Sequence, residues 1–137
     1  MVLTQLLISV VDDDRSVRRA LQRLLRTSGY TTELFASATE FLSSPMMGRT
    51  ACLVLDIQLG ATTGFDLQAQ LAADGSAIPI IFISAYDDAT TSERIAASGA
   101  AAYLRKPFEG QDLLDAIRRA VDTSDGSDHA PTPGETT

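Results

Sequence analysis

Two patterns of apolar residues alternate along the chain. Short continuous apolar runs, rich in β-branched residues, predict strands, and they occupy positions 6–11, 31–35, 51–55, 79–83 and 101–104. Between them, apolar residues recur every three or four positions, which predicts helices. One helical segment begins at residue 15, and the others span positions 37–42, 65–73, 87–98 and 112–121. Five predicted strands therefore alternate with five predicted helices.

Polar residues and glycines stand where these helices should begin and end. Asp14 and Ser37 each precede a helical segment and are suited to cap its N-terminus. Glu40, three residues after Ser37, would complete a capping box. Gly29 and Gly99 follow helical segments, at the place where a left-handed residue commonly ends a helix.

Strands and helices in this alternation are typical of an α/β protein whose parallel sheet is covered on both faces. Right-handed crossovers leave few topologies for such a chain. We expect a doubly wound five-stranded parallel sheet with the flavodoxin-like strand order 2-1-3-4-5. Residues 1–122 are assigned to one domain. Residues 123–137 contain almost nothing to bury, so we expect a disordered tail or a truncated linker there.

Composition and charge exclude several classes of function. The chain has 137 residues and a formal net charge of −7, which disfavours direct binding to nucleic acid. Cys52 is the only cysteine and His129 the only histidine, which excludes an internal disulfide, a cysteine metal cluster and a site that needs several histidines. No apolar run is long enough to span a membrane and no signal peptide is recognisable, so we expect a cytoplasmic protein.

Polar side chains stand at the carboxyl ends of four of the predicted strands. Asp12 and Asp13 follow the first strand, Asp56 the third, Ser84 the fourth and Lys106 the fifth. Because the carboxyl ends of parallel strands meet at one edge of the sheet, we expect these groups to lie close together. Crowded carboxylates repel one another or bind a cation, and hard oxygen ligands suit Mg²⁺ or Mn²⁺. The sequence therefore predicts a metal site beside a candidate nucleophile.

Each of these features also has an ordinary structural explanation. Aspartates after a strand are often a solvated turn, and a serine or a Lys-Pro pair means little by itself. Their joint position at four strand ends is much less easily explained by chance. Lys106 is also the only lysine in the chain, since every other cationic side chain is arginine, and this suggests that a compact point charge is needed there.

With these residues in place, the sequence resembles the receiver domain of two-component response regulators over residues 6–121. Gly64, eight residues after Asp56, also stands where that family has a glycine. The sequence of helix 1 is similar to the FixJ-like branch of the family. The matching motifs are Val10-Val11-Asp12-Asp13, Leu53-Val54-Leu55-Asp56, Ile83-Ser84-Ala85 and Lys106-Pro107-Phe108.

The resemblance implies a CheY-like fold and a phosphoacceptor function. Asp56 would accept a phosphoryl group from a phosphohistidine of a sensor histidine kinase. Asp12, Asp13 and Asp56, with the backbone carbonyl of Gln58, would hold Mg²⁺ or Mn²⁺, and Lys106 would pair with the phosphoryl oxygens. The protein would catalyse its own phosphotransfer and dephosphorylation rather than act as a conventional enzyme.

The same resemblance implies a conformational switch. Ser84 would move to hydrogen-bond the phosphoryl group and Tyr103 would turn inward, which changes the surface formed by helix 4, strand 5 and helix 5. We expect a phosphorylation-dependent homodimer through that surface. Side chains at Gln58 and Tyr86 would tune the lifetime of the acyl phosphate. We expect a kinase to dock near the start of helix 1, at Arg15, Val17 and Arg18.

One position departs from the family pattern. The family usually has proline four residues after the phosphoacceptor, whereas this chain has Gly60, which predicts a looser loop after the third strand. Gly60 is also the only support for an alternative, a pseudo-receiver that binds partners without phosphorylation.

Two further alternatives carry less support. A haloacid-dehalogenase-type phosphatase would need an aspartate two residues after the nucleophile, where this chain has Gln58. A flavin binder would need a phosphate-binding loop after the first strand, where Asp12 and Asp13 would repel the phosphate.

Overall fold

The computed structural model describes residues 6–85 and 88–129, with side chains as far as Asp122. The strands are β1 (Leu7–Val11), β2 (Thr31–Phe35), β3 (Cys52–Asp56), β4 (Gln58–Leu59), β5 (Thr62–Thr63), β6 (Ile80–Ser84) and β7 (Ala102–Arg105). The helices are α1 (Arg15–Thr27), α2 (Ala38–Leu42), α3 (Gly64–Ala73), α4 (Ala89–Ser98) and α5 (Gly110–His129). A short 3-10 turn, Met47–Arg49, precedes β3.

The main sheet has five strands in the order β2-β1-β3-β6-β7, and each neighbouring pair is parallel. Counted along the chain without the short β4–β5 hairpin, this is the predicted order 2-1-3-4-5, and the predicted fold class is confirmed. The switch in strand order lies between β1 and β3, because the chain crosses from β1 to β2 on one side and returns to β3 on the other. Such a switch leaves a crevice beyond the strand ends.

Helices cover the sheet in two layers with separate cores. In the first layer, α1 and α5 pack on one face, with Leu21, Leu25 and Ile117 buried against Val10 and Val54 of the sheet. In the second layer, α2, α3 and α4 pack on the other face. Its cluster is richer in aromatic residues, which are Phe35, Phe41, Phe65 and Phe82, with Tyr103 packed against them.

Most predicted helix ends are confirmed. Asp14 caps α1 by accepting hydrogen bonds from the backbone N–H groups of Ser16 and Val17, and Ser37 caps α2. Gly99 follows α4 with φ +80°. The capping box predicted for α2 is different in detail, because the Glu40 carboxylate accepts from the N–H of Ala36 rather than that of Ser37.

The last helix is longer than predicted. It begins at Gly110 and continues to His129, so the first part of the predicted tail is helical along its backbone. Residues 130–137 lie outside the described part of the chain, and the division at residue 122 stays a prediction. Among the helices of the described ranges, none has the length and apolar character that crossing a membrane requires.

The segment after β3 also differs from the expectation. Gln58 and Leu59 pair with Thr63 and Thr62 in an antiparallel hairpin. Gly60 occupies the first position of its two-residue turn with φ +79°, where glycine suits a type II′ turn. Proline cannot adopt this φ. The glycine is therefore a turn residue within a hairpin that the sequence did not predict. The looser loop expected from Gly60 stays a prediction.

Candidate functional site

Two carboxylates and one ammonium group meet at the carboxyl end of the sheet. The Nζ of Lys106 lies 3.0 Å from Oδ2 of Asp12 and 3.3 Å from Oδ2 of Asp56. Asp12 is fully buried, Asp56 is 5% exposed, and the Lys106 side chain is 22% exposed. The sequence predicts all three residues at one edge of the sheet, and in the structure Lys106 donates hydrogen bonds to both aspartates.

Strand register explains how residues so distant in sequence come together. Val11 of β1 is level with Leu55 of β3, so Asp12 and Asp56 come next at the same height. Lys106 follows β7, and its backbone N–H donates to the carbonyl of Ser84 at 2.8 Å. This bond extends the parallel ladder by one residue and fixes where the lysine leaves the sheet.

Asp12 is held by contacts on every polar group. Its backbone N–H donates to the Phe35 carbonyl at 3.1 Å, and its own carbonyl accepts from Nη1 of Arg18 at 2.8 Å. Its Oδ1 accepts from the N–H of Asp14 at 2.9 Å, and Oδ2 pairs with Lys106. The sequence patterns did not predict this contact of Arg18, although an arginine one turn into α1 could have suggested it.

Burial dominates the electrostatics of Asp56. Burial and the neighbouring Asp12 raise the pKa of Asp56 to about 6, while hydrogen bonds from Gln58 and Lys106 oppose this shift. For Lys106, burial alone would lower the pKa, but the hydrogen bond that its ammonium group donates to Asp12 and the charges of both aspartates raise it instead. The site therefore keeps a charged lysine beside a carboxylate that is unusually easy to protonate.

Asp13 completes a cluster of acidic oxygens. One carboxylate oxygen from each of Asp12, Asp13 and Asp56 lies within 4.8 Å of the others, and of the three only Asp13 is exposed. Three hard oxygen ligands with an open, solvent-facing side fit a small divalent cation that retains some of its waters. The positive charge of such an ion would also oppose the effects of burial and of the Asp12 charge, which together raise the pKa of Asp56.

The remaining predicted site residues occupy the same edge. The backbone N–H of Gln58 donates to Oδ1 of Asp56 at 3.1 Å, and its side chain is exposed. Ser84 ends β6 and is fully buried. Tyr103 is half-buried and lies in register with Phe82, two residue pairs before the Ser84–Arg105 pair. Ser84 and Tyr103 are thus diagonal neighbours across two parallel strands. Tyr86 lies outside the described residues.

Gly64 is required by a close approach rather than by its φ. A Cβ atom placed there would lie 2.7 Å from the carbonyl oxygen of Asp56 and 3.1 Å from the Phe82 ring. Its N–H also donates to the Ile57 carbonyl at 2.8 Å. The first turn of α3 is therefore packed directly on the backbone of the strand that carries Asp56.

An aromatic contact beside the site was not predicted. Phe65, next to Gly64, packs on Phe82 with ring centroids 5.0 Å apart. The guanidinium carbon of Arg94, on α4, lies 4.1 Å from the centroid of the Phe65 ring. Sequence patterns cannot pair an arginine with a distant aromatic ring, since either residue alone has many possible partners.

Comparison with known proteins gives a consistent result. Residues 8–118 match the family model described as "Response regulator receiver domain". Nodulation protein W of Bradyrhizobium diazoefficiens is 43% identical over 119 residues, which are 87% of this chain and 52% of that protein. The transcriptional regulatory protein TdiR of Thauera aromatica is 40% identical over 114 residues, 83% of this chain and 50% of that protein.

Solved structures agree. The response regulator StyR superimposes with a TM-score of 0.80 at 42% identity and covers 88% of this chain and 61% of its own. A CheY-like receiver domain protein from Methanospirillum hungatei gives a TM-score of 0.81 at 26% identity, with 89% of this chain and 98% of its own covered. The chain spans about half the length of the curated relatives it matches.

Proposed function

Because the chain belongs to the response regulator receiver family, we propose that Asp56 accepts a phosphoryl group from a phosphohistidine of a sensor histidine kinase. The observation that carries this proposal is the buried Asp56 carboxylate between Asp12 and the ammonium group of Lys106. A nucleophile in that position is fixed by its strand, by the Gln58 N–H and by Lys106. Phosphoryl transfer depends mainly on such positioning and on charge stabilisation.

The proposed step forms one bond and breaks one. A carboxylate oxygen of Asp56 attacks phosphorus, the oxygen–phosphorus bond forms, and the phosphorus–nitrogen bond to the donor histidine breaks. Lys106 stays protonated, as its raised pKa favours, and its ammonium group offsets the negative charge on the phosphoryl oxygens. Water attack on the same phosphorus later restores the carboxylate and releases phosphate.

Asp12, Asp13 and Asp56 would hold Mg²⁺ or Mn²⁺ together with the backbone carbonyl of Gln58. When bound, the cation acts as a Lewis acid and lets an anionic phosphoryl group approach an anionic carboxylate. The residues contribute the rest: Asp12 is fixed by Arg18 and Asp14, and Asp13 faces solvent. The three carboxylates within 4.8 Å support this part of the proposal.

The signal would leave the site through Ser84 and Tyr103. Drawing the Ser84 hydroxyl toward a phosphoryl oxygen would open space for the half-buried Tyr103 ring on the neighbouring strand. The surface of α4, β7 and α5 would change with it and form a homodimer. Burying an aromatic ring contributes roughly 1.5–3 kcal/mol, which shifts a two-state equilibrium by one to two decades.

The test uses a small phosphodonor such as phosphoramidate and intact-protein mass. We expect wild type to gain one phosphoryl group in the presence of Mg²⁺ and none after chelation. Asp56→Asn should gain none, whereas Asp115→Asn, which changes a partly exposed carboxylate on α5, should behave as wild type. Label that persists in Asp56→Asn would refute the assignment, and an unlabelled wild type would favour the pseudo-receiver alternative.

The same samples test the switch. Sedimentation should show dimers for phosphorylated wild type and monomers for the unphosphorylated protein. Ser84→Ala and Tyr103→Ala should accept the phosphoryl group but dimerise less. A fully phosphorylated wild type that stays monomeric would contradict the dimer, and an equal response in all three proteins would contradict the role of Ser84 and Tyr103.

A further inference from the structure

The α4 helix is attached to the rest of the protein by few apolar contacts. Its inward side consists of Thr91, Ile95 and Ser98, spaced about one turn apart, and each is only half-buried. Of the described α4 side chains, none is fully buried. Ile95 is the only aliphatic side chain larger than alanine among the ten residues of α4, which gives little apolar stabilisation, so other contacts must hold the helix in place.

Two of those contacts come from α3. The Arg94 guanidinium carbon stands 4.1 Å from the centroid of the Phe65 ring, within the range of a cation–π interaction. One turn further along each helix, Nε2 of Gln68 donates to the carbonyl of Ser98 at 3.0 Å. Both contacts are polar or electrostatic, and both fix α4 to the same neighbouring helix.

The α3 end of this contact lies against the phosphoacceptor strand. Phe65 packs on Phe82 of β6, at an angle of 53° between the rings. The preceding residue, Gly64, approaches the Asp56 carbonyl so closely that a Cβ atom would clash with it. A shift in the backbone of Asp56 would therefore displace the first turn of α3 and the ring on which Arg94 lies.

We propose that Arg94 is a positioning residue that holds α4 in the arrangement belonging to unmodified Asp56, and that it acts through Phe65 and Gly64. This rests on the function proposed above. The route differs from that of Ser84 and Tyr103, because it runs through α3 rather than from strand to strand. Weakening the Arg94 contact removes stabilisation from the unphosphorylated arrangement, so α4 is released and phosphorylation of Asp56 becomes more favourable.

The first test needs no phosphorylation. In the unmodified protein, Arg94→Met keeps most of the side-chain length and removes the charge, and we expect α4 amides to exchange about two- to fivefold faster, the factor that an exposed cation–π contact represents. Arg94→Lys keeps a cation and should restore part of the protection. Arg118→Met, an exposed change on α5, should leave α4 exchange unchanged. Equal α4 exchange in wild type and Arg94→Met would overturn the proposal.

The second test measures coupling to Asp56. With phosphoramidate and Mg²⁺, Arg94→Met should be phosphorylated about two- to fivefold faster than wild type, with Arg94→Lys in between and Arg118→Met unchanged. In a Phe65→Leu background, Arg94→Met should add no further change, because the ring it acts through is gone.

The outcomes separate the two proposals. A wild type that takes up no phosphoryl group would overturn the proposed function itself. A wild type that is phosphorylated at the same rate as Arg94→Met would overturn only the positioning role of Arg94. A full effect of Arg94→Met in the Phe65→Leu background would overturn the route through Phe65.

Discussion

The α5 and α4 helices flank the same edge strand, β7, but they are held in different ways. On α5, buried apolar side chains face the first-layer core; they are Leu113, Ala116, Ile117, Ala120 and Val121. On α4, the described side chains include none that is fully buried, and Ile95 is half-buried. One helix is thus part of the core, whereas the other rests on its surface.

The site residues divide between the layers in the same way. Asp12 and Asp56 follow Val10 and Val54 by two residues, and both valines belong to the first-layer core. Ser84 follows Phe82 by two residues, and Phe82 belongs to the second-layer cluster. Because side chains two apart on a strand share a face, the proposed chemistry is built on the α5 side and the proposed switch on the α4 side. A reactive group needs fixed geometry, whereas a readout needs an element that can move.

The largest expected effect is on stability. Ile117→Ala removes a fully buried side chain from α5 and should lower the free energy of unfolding by about 2–5 kcal/mol. Ile95→Ala makes the same chemical change on α4, where the side chain is half-buried, and should cost less than about 1.5 kcal/mol. Urea denaturation of both variants measures the difference. Equal losses would mean that α4 is as firmly packed as α5.

A second prediction concerns the cost in stability of ionising the buried Asp56 carboxylate. With its pKa raised from 3.8 to about 6, Asp56 binds a proton more readily in the folded than in the unfolded state. This contribution to stability is therefore lost as pH rises from about 4 through about 6. In chelator, Asp56→Asn should match wild type near pH 4 and exceed it by about 1–3 kcal/mol near pH 8.

Urea unfolding across that pH range, with Asp115→Asn as the matched control, measures the effect. Asp115 lies on α5 and pairs with the exposed Arg118, so its variant controls for the loss of one negative charge outside the cluster of Asp12, Asp13 and Asp56. An Asp56→Asn variant that is less stable than wild type at pH 8 would mean that Lys106 stabilises the ionised Asp56 carboxylate more than burial and the Asp12 charge destabilise it.

The strands, the helices and the edge that carries the site could be predicted from the sequence, because each depends on a local pattern of apolar residues. Apolar runs ending at Asp12, Asp56 and Lys106 predicted the strands, and parallel connectivity then required the three residues to share an edge. The large apolar side chains on one face of α5, such as Leu113, Ile117 and Val121, likewise contrast in the sequence with the alanines and serines of α4. Both apolar patterns can be recognised within a short segment of the chain. The right-handed crossover between parallel strands then leaves few ways to connect the elements.

The parts that escaped prediction depend on geometry between elements. The contacts of Arg94 with Phe65 and of Arg18 with the Asp12 carbonyl join residues whose own neighbours give no sign of the partner. Thr63 and Asp66 form a capping box at the start of α3 that a search for serine or threonine followed by glutamate or glutamine passes over. The β4–β5 hairpin was missed because its strands have only two residues each.

The smallest expected effect concerns the hairpin that joins the two layers. It leads from Asp56 on β3 to Gly64 on α3, and Gln58 within it donates its N–H to Asp56 at 3.1 Å. A Cβ atom at Gly60 would meet no atom within 4 Å, so Gly60→Ala is disfavoured only by φ +79°. A left-handed conformation costs an alanine roughly 1–2 kcal/mol, which is the expected loss of stability.

Gly75 provides a matched control, because it has the same φ of +79° and equally open space beyond the end of α3. Gly75→Ala should lose about the same free energy of unfolding, roughly 1–2 kcal/mol, but it should leave the phosphorylation rate of Asp56 unchanged. Gly60→Ala should alter that rate, since a distorted turn moves the Gln58 N–H away from the carboxylate. If both variants change the rate equally, the phosphorylation rate of Asp56 depends on global stability rather than on the geometry of the hairpin. If only Gly60→Ala changes it, the turn glycine that replaces the family's usual proline sets the geometry of the nucleophile.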